Sequence, residues 1–263
     1  MTTLTAGVDV GAATTKAAII ADGNLLSYFI MPTGAIVESA AMTVAEKVMN
    51  EAGIAMNDLN YVIATGWGRQ GVPFANKTVT EIICHAAGAH WLIPETRSII
   101  DIGGQDSKAM TVDDNGTVLG FVMNDKCAAG TGRFLEVMAQ VLETTVEKLG
   151  PIALNSEDPC QISSTCTIFA ETEVIALRAQ GRNREDLVAG ILAAVAKRVA
   201  LMAQHLKLGK ELVFTGGVAK NIGVKKALEN ELGTEMLVSE EPQIIGALGA
   251  ALLAKKEALK LSN

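Results

Sequence analysis

Ten residues near the N-terminus, Val-Asp-Val-Gly-Ala-Ala-Thr-Thr-Lys-Ala at 8–17, return in altered form as Ile-Asp-Ile-Gly-Gly-Gln-Asp-Ser-Lys-Ala at 100–109. Aligned without a gap, Asp9 matches Asp101, Gly11 matches Gly103, Thr15 matches Ser107 and Lys16 matches Lys108. An acid, a glycine turn, a hydroxyl and a lysine are the parts needed to hold a magnesium–phosphate group. Mg²⁺ dehydrates reluctantly, so Asp9 and Asp101 at strand ends would hold it through its waters. The backbone of Gly11, Ala12 and Ala13, and that of Gly103 and Gly104, can bring N–H groups against phosphate oxygens. Thr14, Thr15, Lys16 and Lys108 are candidate phosphate donors. Gln105 and Asp106 occupy the second turn, where an attacking water could be oriented. A glycine turn in a plain hairpin would explain one copy alone; two copies in one register favour a pair of similar half-sites for one nucleotide.

A third glycine loop, Thr215-Gly216-Gly217-Val218-Ala219-Lys220-Asn221, follows an apolar run. Gly216 and Gly217 suit close approach to a nucleoside, with Lys220 beside them, although a simple strand-to-helix turn fits this segment equally. Other nucleotide signatures fail. Gly130-Thr131-Gly132 lacks the third glycine of a dinucleotide fingerprint, and no G-x-x-x-x-G-K-[ST] occurs. Gly130 and Gly132 are nevertheless candidates to touch the nucleotide, and Gly130 lies three residues after Cys127. His85, His90 and His205 complete no metal pattern and read as ordinary histidines. Cys84, Cys127, Cys160 and Cys166 form no C-x-x-C pair, which argues against a zinc ribbon or a thioredoxin-type site. By spacing alone each cysteine fits a small buried hydrophobe.

The elements that must position these residues repeat as well. Apolar runs at 4–10, 16–21 and 25–30, the last two joined by Asp22-Gly23-Asn24, predict three strands with a tight hairpin. Val37, Ala41, Val44, Ala45 and Val48 predict a helix over 35–52 ending at Gly53. A short strand at 61–64 and a helix at 79–92 follow. The second half reads as strands at 98–102, 108–112 and 117–122, the last two flanking Asp113-Asp114-Asn115-Gly116. Helices are predicted at 131–146, 167–180 and 186–206, a strand at 211–214 and a final helix at about 242–259, with Gln243 at its start near a presumed hinge. The fold class is therefore α/β: two tandem hairpin-plus-helix domains, 1–96 with the C-terminal helix 242–263, and 97–241.

Composition bounds the rest. The 263 residues are 49% hydrophobic with mean hydropathy +0.30, enough for a folded core. A net charge of −7 argues against nucleic acid or an anionic membrane as main partner. No basic segment precedes an apolar stretch at the N-terminus, and the longest apolar runs are too short to span a bilayer. A cytoplasmic chain with reduced cysteines is expected.

The order of the pieces resembles the superfamily of actin, Hsp70 chaperones and sugar kinases. The segments at 8–17, 100–109 and 214–221 look like its two phosphate motifs and its adenosine motif. That resemblance implies two actin/Hsp70/RNase H-like domains with ATP in a cleft between them. Asn124-Asp125-Lys126-Cys127-Ala128-Ala129-Gly130-Thr131-Gly132-Arg133-Phe134 is more selective. So are residues 101–108 and Ser163-Ser164-Thr165-Cys166-Thr167-Ile168-Phe169-Ala170-Glu171. Together they resemble the ATP-dependent activators of 2-hydroxyacyl-CoA dehydratases, in the group that includes the ATPase subunits of benzoyl-CoA reductase.

The resemblance implies ATP/ADP, Mg²⁺ and one [4Fe-4S] cluster held between the two subunits of a homodimer, with Cys127 and Cys166 as the ligands from each chain. It implies a transient complex with a dehydratase, an external electron donor such as ferredoxin or flavodoxin, and neither nucleic acid nor membrane as a partner. The activity implied is ATP-driven transfer of one electron to the dehydratase. The phosphate motifs alone fit a small-molecule kinase, a chaperone or a filament equally well. The two cysteine segments, which a kinase would not need, favour the activators, with a benzoyl-CoA reductase ATPase subunit as the alternative.

Overall fold

The computed structural model describes residues 2–163 and 166–261. The chain divides into two compact units: Met1–Arg97, Val112–Leu119 and Ser239–Asn263 form the first, Ser98–Thr111 and Gly120–Val238 the second.

In the first unit β1 (Leu4–Val10), β2 (Thr14–Ala21) and β3 (Asn24–Pro32) form an antiparallel meander. Asp22 and Gly23 both take positive φ between β2 and β3, as the tight two-residue hairpin requires. Helix α1 (Val37–Ala52) packs on these strands and leads to β4 (Tyr61–Thr65), which lies parallel to β1. A two-residue edge strand, β5 (Lys77–Thr78), precedes α2 (Glu81–Leu92), giving the sheet order β3-β2-β1-β4-β5. The central strand is buried almost throughout, whereas β3 alternates exposed and covered residues, the pattern of a strand with one wet face.

The second unit repeats the plan. Strands β6 (Ser98–Ile102), β7 (Ser107–Val112) and β8 (Val118–Asn124) are followed by α3 (Gly132–Val141), α4 (Val146–Ala153), α5 (Thr167–Ala179) and α6 (Arg184–Ala203). Then come β9 (Leu212–Thr215), α7 (Ile222–Leu232) and β10 (Met236–Leu237). The sheet order is β8-β7-β6-β9-β10, with β9 parallel to β6. Phe134, Leu135 and Met138 of α3 meet Ile191 and Val195 of α6 and Phe214 of β9 in its core. The last helix, α8 (Ile245–Leu261), packs on β1, β2, β4 and α2 of the first unit.

The mixed α/β architecture expected from the hairpin-and-helix repeat is present, with differences in detail. The helix predicted over 131–146 stops at Val141 because Glu143 adopts φ 51°, and a separate helix α4 starts at Val146. Gly150 and Pro151 read as breakers in sequence, yet they lie within α4, whose Leu149 is fully buried in the core. The sequence reading also omitted α7 and the edge strands β5 and β10, which are too short or too weakly patterned to announce themselves. Among the described residues, no helix is long and apolar enough to cross a membrane.

Candidate functional site

Strand register places the two acids identically. Asp9 of β1 lies between Lys16 of antiparallel β2 and Thr65 of parallel β4. Asp101 of β6 lies between Lys108 of β7 and Thr215 of β9. Each acid is buried and each forms an ion pair across its hairpin: Lys16 Nζ to Asp9 Oδ2 at 3.2 Å and Lys108 Nζ to Asp101 Oδ2 at 3.3 Å. The glycine turns match too. Gly11 N–H donates to the Thr14 carbonyl at 3.1 Å, and Gly103 N–H donates to the Asp106 carbonyl at 2.9 Å. Ala13 and Gln105 are the exposed tips of the two turns, and Ala12 and Gly104 are the residues just before those tips.

The second clamp is the denser one. Lys108, only 3% exposed, also reaches Asp106 Oδ1 at 2.7 Å, and the Thr215 hydroxyl donates to Asp101 Oδ1 at 2.9 Å. The hydroxyls paired by the motif alignment point elsewhere. Thr15 is fully buried with its Oγ1 2.9 Å from that of Thr33, and the Ser107 hydroxyl contacts Met202 Sδ at 4.0 Å. Strand alternation accounts for this, since neighbours of Lys16 and Lys108 in sequence face the opposite side of the sheet.

Gly130 and Gly132 are both buried; Gly132 serves the second turn, whereas Gly130 (φ 87°) lies against Arg198 and Val199 of α6. The N–H groups of Gly132 and Arg133, at the start of α3, donate to the carbonyls of Gly103 and Gly104 at 2.9 and 2.8 Å. The preceding loop is tied down in turn. The Thr131 hydroxyl donates to the Ala128 carbonyl at 2.7 Å, and the Asn124 side-chain amide donates to the Cys127 carbonyl at 2.8 Å. A short hydrogen-bonded path thus joins the turn at 103–106 to the segment that carries Cys127.

Thr215 ends β9 next to Asp101, Gly216 caps the 3-10 turn that Gly217 starts, and Lys220 is exposed at its end. Asn221, buried, caps α7 by accepting from the N–H groups of Gly223 and Val224. Gln243 precedes α8 by two residues, and its N–H donates to Glu241 Oε1 at 3.1 Å.

Sequence reasoning missed Thr65, Gly66 and His85. Gly66 (φ 85°) and Gly216 (φ 88°) occupy equivalent places, each packed so tightly on its aspartate and on the backbone of the next residue, Val10 or Ile102, that an added Cβ would clash. Ala-Thr-Gly-Trp at 64–67 and Phe-Thr-Gly-Gly at 214–217 carried that repeat in plain sight. No spacing rule signals His85, because α2 delivers it through the fold.

The four thiols are free and fall into two classes. Cys84 and Cys160 are buried. Burial, the largest influence, pushes the Cys84 thiol up to about 12. Cys160 Sγ accepts from Arg182 Nε at 3.1 Å. Cys127 is half-buried on its loop, whereas Cys166 is exposed and is the N-cap residue of α5, so two accessible thiols sit ahead of two helices. Ile168 and Phe169, beside Cys166, are 70% and 67% exposed. Ser164 and Thr165 of this segment lie outside the described residues. Among the described residues no three or more His, Cys, Asp or Glu side chains converge as a metal site.

Comparison with known proteins extends over almost the whole chain. The activator of lactoyl-CoA dehydratase of Anaerotignum propionicum is 46% identical, over 97% of this chain and 99% of its own. The crystal structure of the Acidaminococcus fermentans (R)-2-hydroxyglutaryl-CoA dehydratase component A superposes with a TM-score of 0.95 at 43% identity, covering 98% of this chain and 99% of that one. The activator of the 2-hydroxyisocaproyl-CoA dehydratase from Clostridium difficile, solved with bound ADPNP, gives a TM-score of 0.93 at 44% identity, covering 100% and 97%. The model of the BadF/BadG/BcrA/BcrD ATPase family matches residues 6–254. This chain belongs to the BadF/BadG/BcrA/BcrD ATPase family.

Proposed function

We propose that this chain is an ATP-hydrolysing activator of a 2-hydroxyacyl-CoA dehydratase, delivering one electron per cycle through a [4Fe-4S] cluster shared by two identical subunits. A cubane cluster takes four thiolates, and a two-fold dimer in which each chain offers Cys127 and Cys166 supplies four. When bound, the cluster supplies a one-electron redox couple. An external donor such as ferredoxin or flavodoxin would reload it.

The chain's own residues do the coupling. Asp9 and Asp101 hold hydrated Mg²⁺, and Lys16, Lys108 and the glycine turns hold the phosphates. Gln105, at the exposed tip of its turn, and Asp106, anchored to Lys108, are the candidates for orienting the attacking water. Gly216, Gly217, Lys220 and Gln243 are assigned to the nucleoside side. The observation that carries the coupling is the bonding of Gly132 and Arg133 to the carbonyls of Gly103 and Gly104. Movement of the phosphate turn is transmitted to α3 and to the Cys127 loop because they share hydrogen bonds. A ligand shifts a two-state equilibrium only by its differential affinity for the states, and ATP and ADP differ at the phosphates this turn would contact. The three relatives act on lactoyl-, 2-hydroxyglutaryl- and 2-hydroxyisocaproyl-CoA dehydratases at 43–46% identity, so identity selects none of these acyl groups.

The test is Cys166→Ala purified without oxygen. Expected are about four irons per wild-type dimer by the thiolate count, loss of that iron in the variant, and nucleotide affinity within about twofold of wild type, since the change lies outside the phosphate clamps. A colourless, iron-free wild type would overturn the electron-transfer reading, and full iron in the variant would overturn the ligand assignment.

A further inference from the structure

His85 lies on α2 and is 6% exposed. It belongs to no motif, yet it shares a corner with Asp9. A Cβ built on Gly246, in the first turn of α8, would stand 2.9 Å from His85 Nε2 and 3.0 Å from Asp9 Oδ2. The imidazole nitrogen and the carboxylate oxygen therefore flank one glycine, whose missing side chain leaves room for both. Lys16 approaches the same Oδ2 from the hairpin side at 3.2 Å. In the second unit the Thr215 hydroxyl donates to the equivalent carboxylate. Its counterpart Thr65 has a buried Oγ1 that makes no hydrogen bond to Asp9 and has the Cys84 thiol beside it. The duty that Thr215 performs for Asp101 is thus unfilled by Thr65, and a different side chain stands beside Asp9.

We propose that His85 is a positioning residue for Asp9, orienting its carboxylate for the Mg²⁺–nucleotide group. The inference rests on the reading of Asp9 as a residue that holds hydrated Mg²⁺. A carboxylate that must hold such an ion works best when its rotation is restricted, and outer partners that impose this are worth about ten- to a hundredfold in metal affinity or activity. Gly246 is part of the device, because any side chain there would separate the pair.

The test uses the full-length protein and binding of a fluorescent ADP analogue, titrated with and without Mg²⁺. His85→Leu, which fills similar space without a polar nitrogen, is expected to lose about tenfold in Mg²⁺-dependent affinity while Mg²⁺-free binding stays unchanged. His85→Gln, which keeps a donor near the Nε2 position, is expected to recover most of that loss. Gly246→Ala is expected to behave like His85→Leu. A His85→Leu variant that matches wild type, or that weakens binding equally with and without Mg²⁺, would overturn the proposal. Equal losses in the Leu and Gln variants would also overturn it, and if His85→Leu does not fold, Gln and Gly246→Ala decide alone: wild-type Mg²⁺ dependence in both refutes the inference. Failure of wild type itself to bind nucleotide would instead defeat the underlying ATPase reading.

Discussion

In the first unit Asp9 is met by one lysine, and Lys16 is met by one carboxylate. In the second, Asp101 is met by a lysine and a threonine hydroxyl, and Lys108 is shared between Asp101 and Asp106. The strand register around the two acids is the same, so the duplication conserved the scaffold while its neighbours diverged. Register is expensive to change, because a one-residue slip reverses every side chain between core and surface. The groups facing each acid can be replaced one at a time. The second clamp is also braced from outside by α3, whose first N–H groups bond its turn, and it stands in the unit that carries the two accessible cysteines. The second clamp is thus the more densely bonded of the two.

The sharpest way to break this comparison is to remove each lysine. Lys108→Met leaves Asp101 and Asp106 without their shared buried cation, and a loss of roughly 3 kcal/mol in unfolding free energy is expected. Lys16→Met leaves the buried Asp9 without its cation at a slightly better hydrated pair, so a smaller loss, about 2 kcal/mol, is expected. Urea denaturation of both variants checks the pair of values, and equal costs would show that the clamps do not differ.

Next in size are the paired threonines. Thr215→Val deletes the donor to the buried Asp101 carboxylate and should cost about 1–2 kcal/mol. Thr65→Val removes a buried hydroxyl that makes no hydrogen bond to Asp9 and has the Cys84 thiol beside it, so thermal unfolding should show little or no loss. A Thr65→Val penalty as large as that of Thr215→Val would mean that Thr65 serves Asp9 after all.

The smallest effect expected is in the hairpins. The β2–β3 hairpin closes in two residues, whereas the β7–β8 turn is held by Asp113, which accepts from the N–H groups of Asn115 and Thr117 at 2.8 Å each. The Thr117 and Asn115 backbone bonds hold the Asp113 carboxyl below the usual carboxylate value. A group depressed on folding stabilises above its unfolded value and loses that contribution as pH falls through its folded one. The stability gap between wild type and Asp113→Ala should therefore be present at neutral pH and close in acid. A gap independent of pH would assign the turn's stability to backbone geometry instead.

Much of this was legible from residues alone. Asp9, Lys16, Asp101 and Lys108 stand out because repetition doubles a weak signal, and Asp22-Gly23 marks its hairpin through the positive φ that few residue types accept. Helix α4 was hidden by Gly150 and Pro151, whose breaker character is overruled by burial of Leu149. Strands β5 and β10 were hidden because two residues have no period to read. His85 was hidden for a deeper reason: its significance lies in a contact between α2, β1 and α8, elements far apart in sequence.

What the sequence determined by itself is local: the duplicated strand–turn–strand units, the acids and lysines at their ends, and the family those segments resemble. Periodicity and turn chemistry act over a few residues, so they can be read without the rest of the chain. What only the tertiary structure decided is which groups meet across strands and helices. It set Thr215 against Asp101 and His85 beside Asp9, bonded the start of α3 to the turn at 103–106, and buried Cys84 and Cys160 while leaving Cys127 and Cys166 accessible. Those outcomes depend on packing, where a glycine such as Gly246 matters for the side chain it lacks.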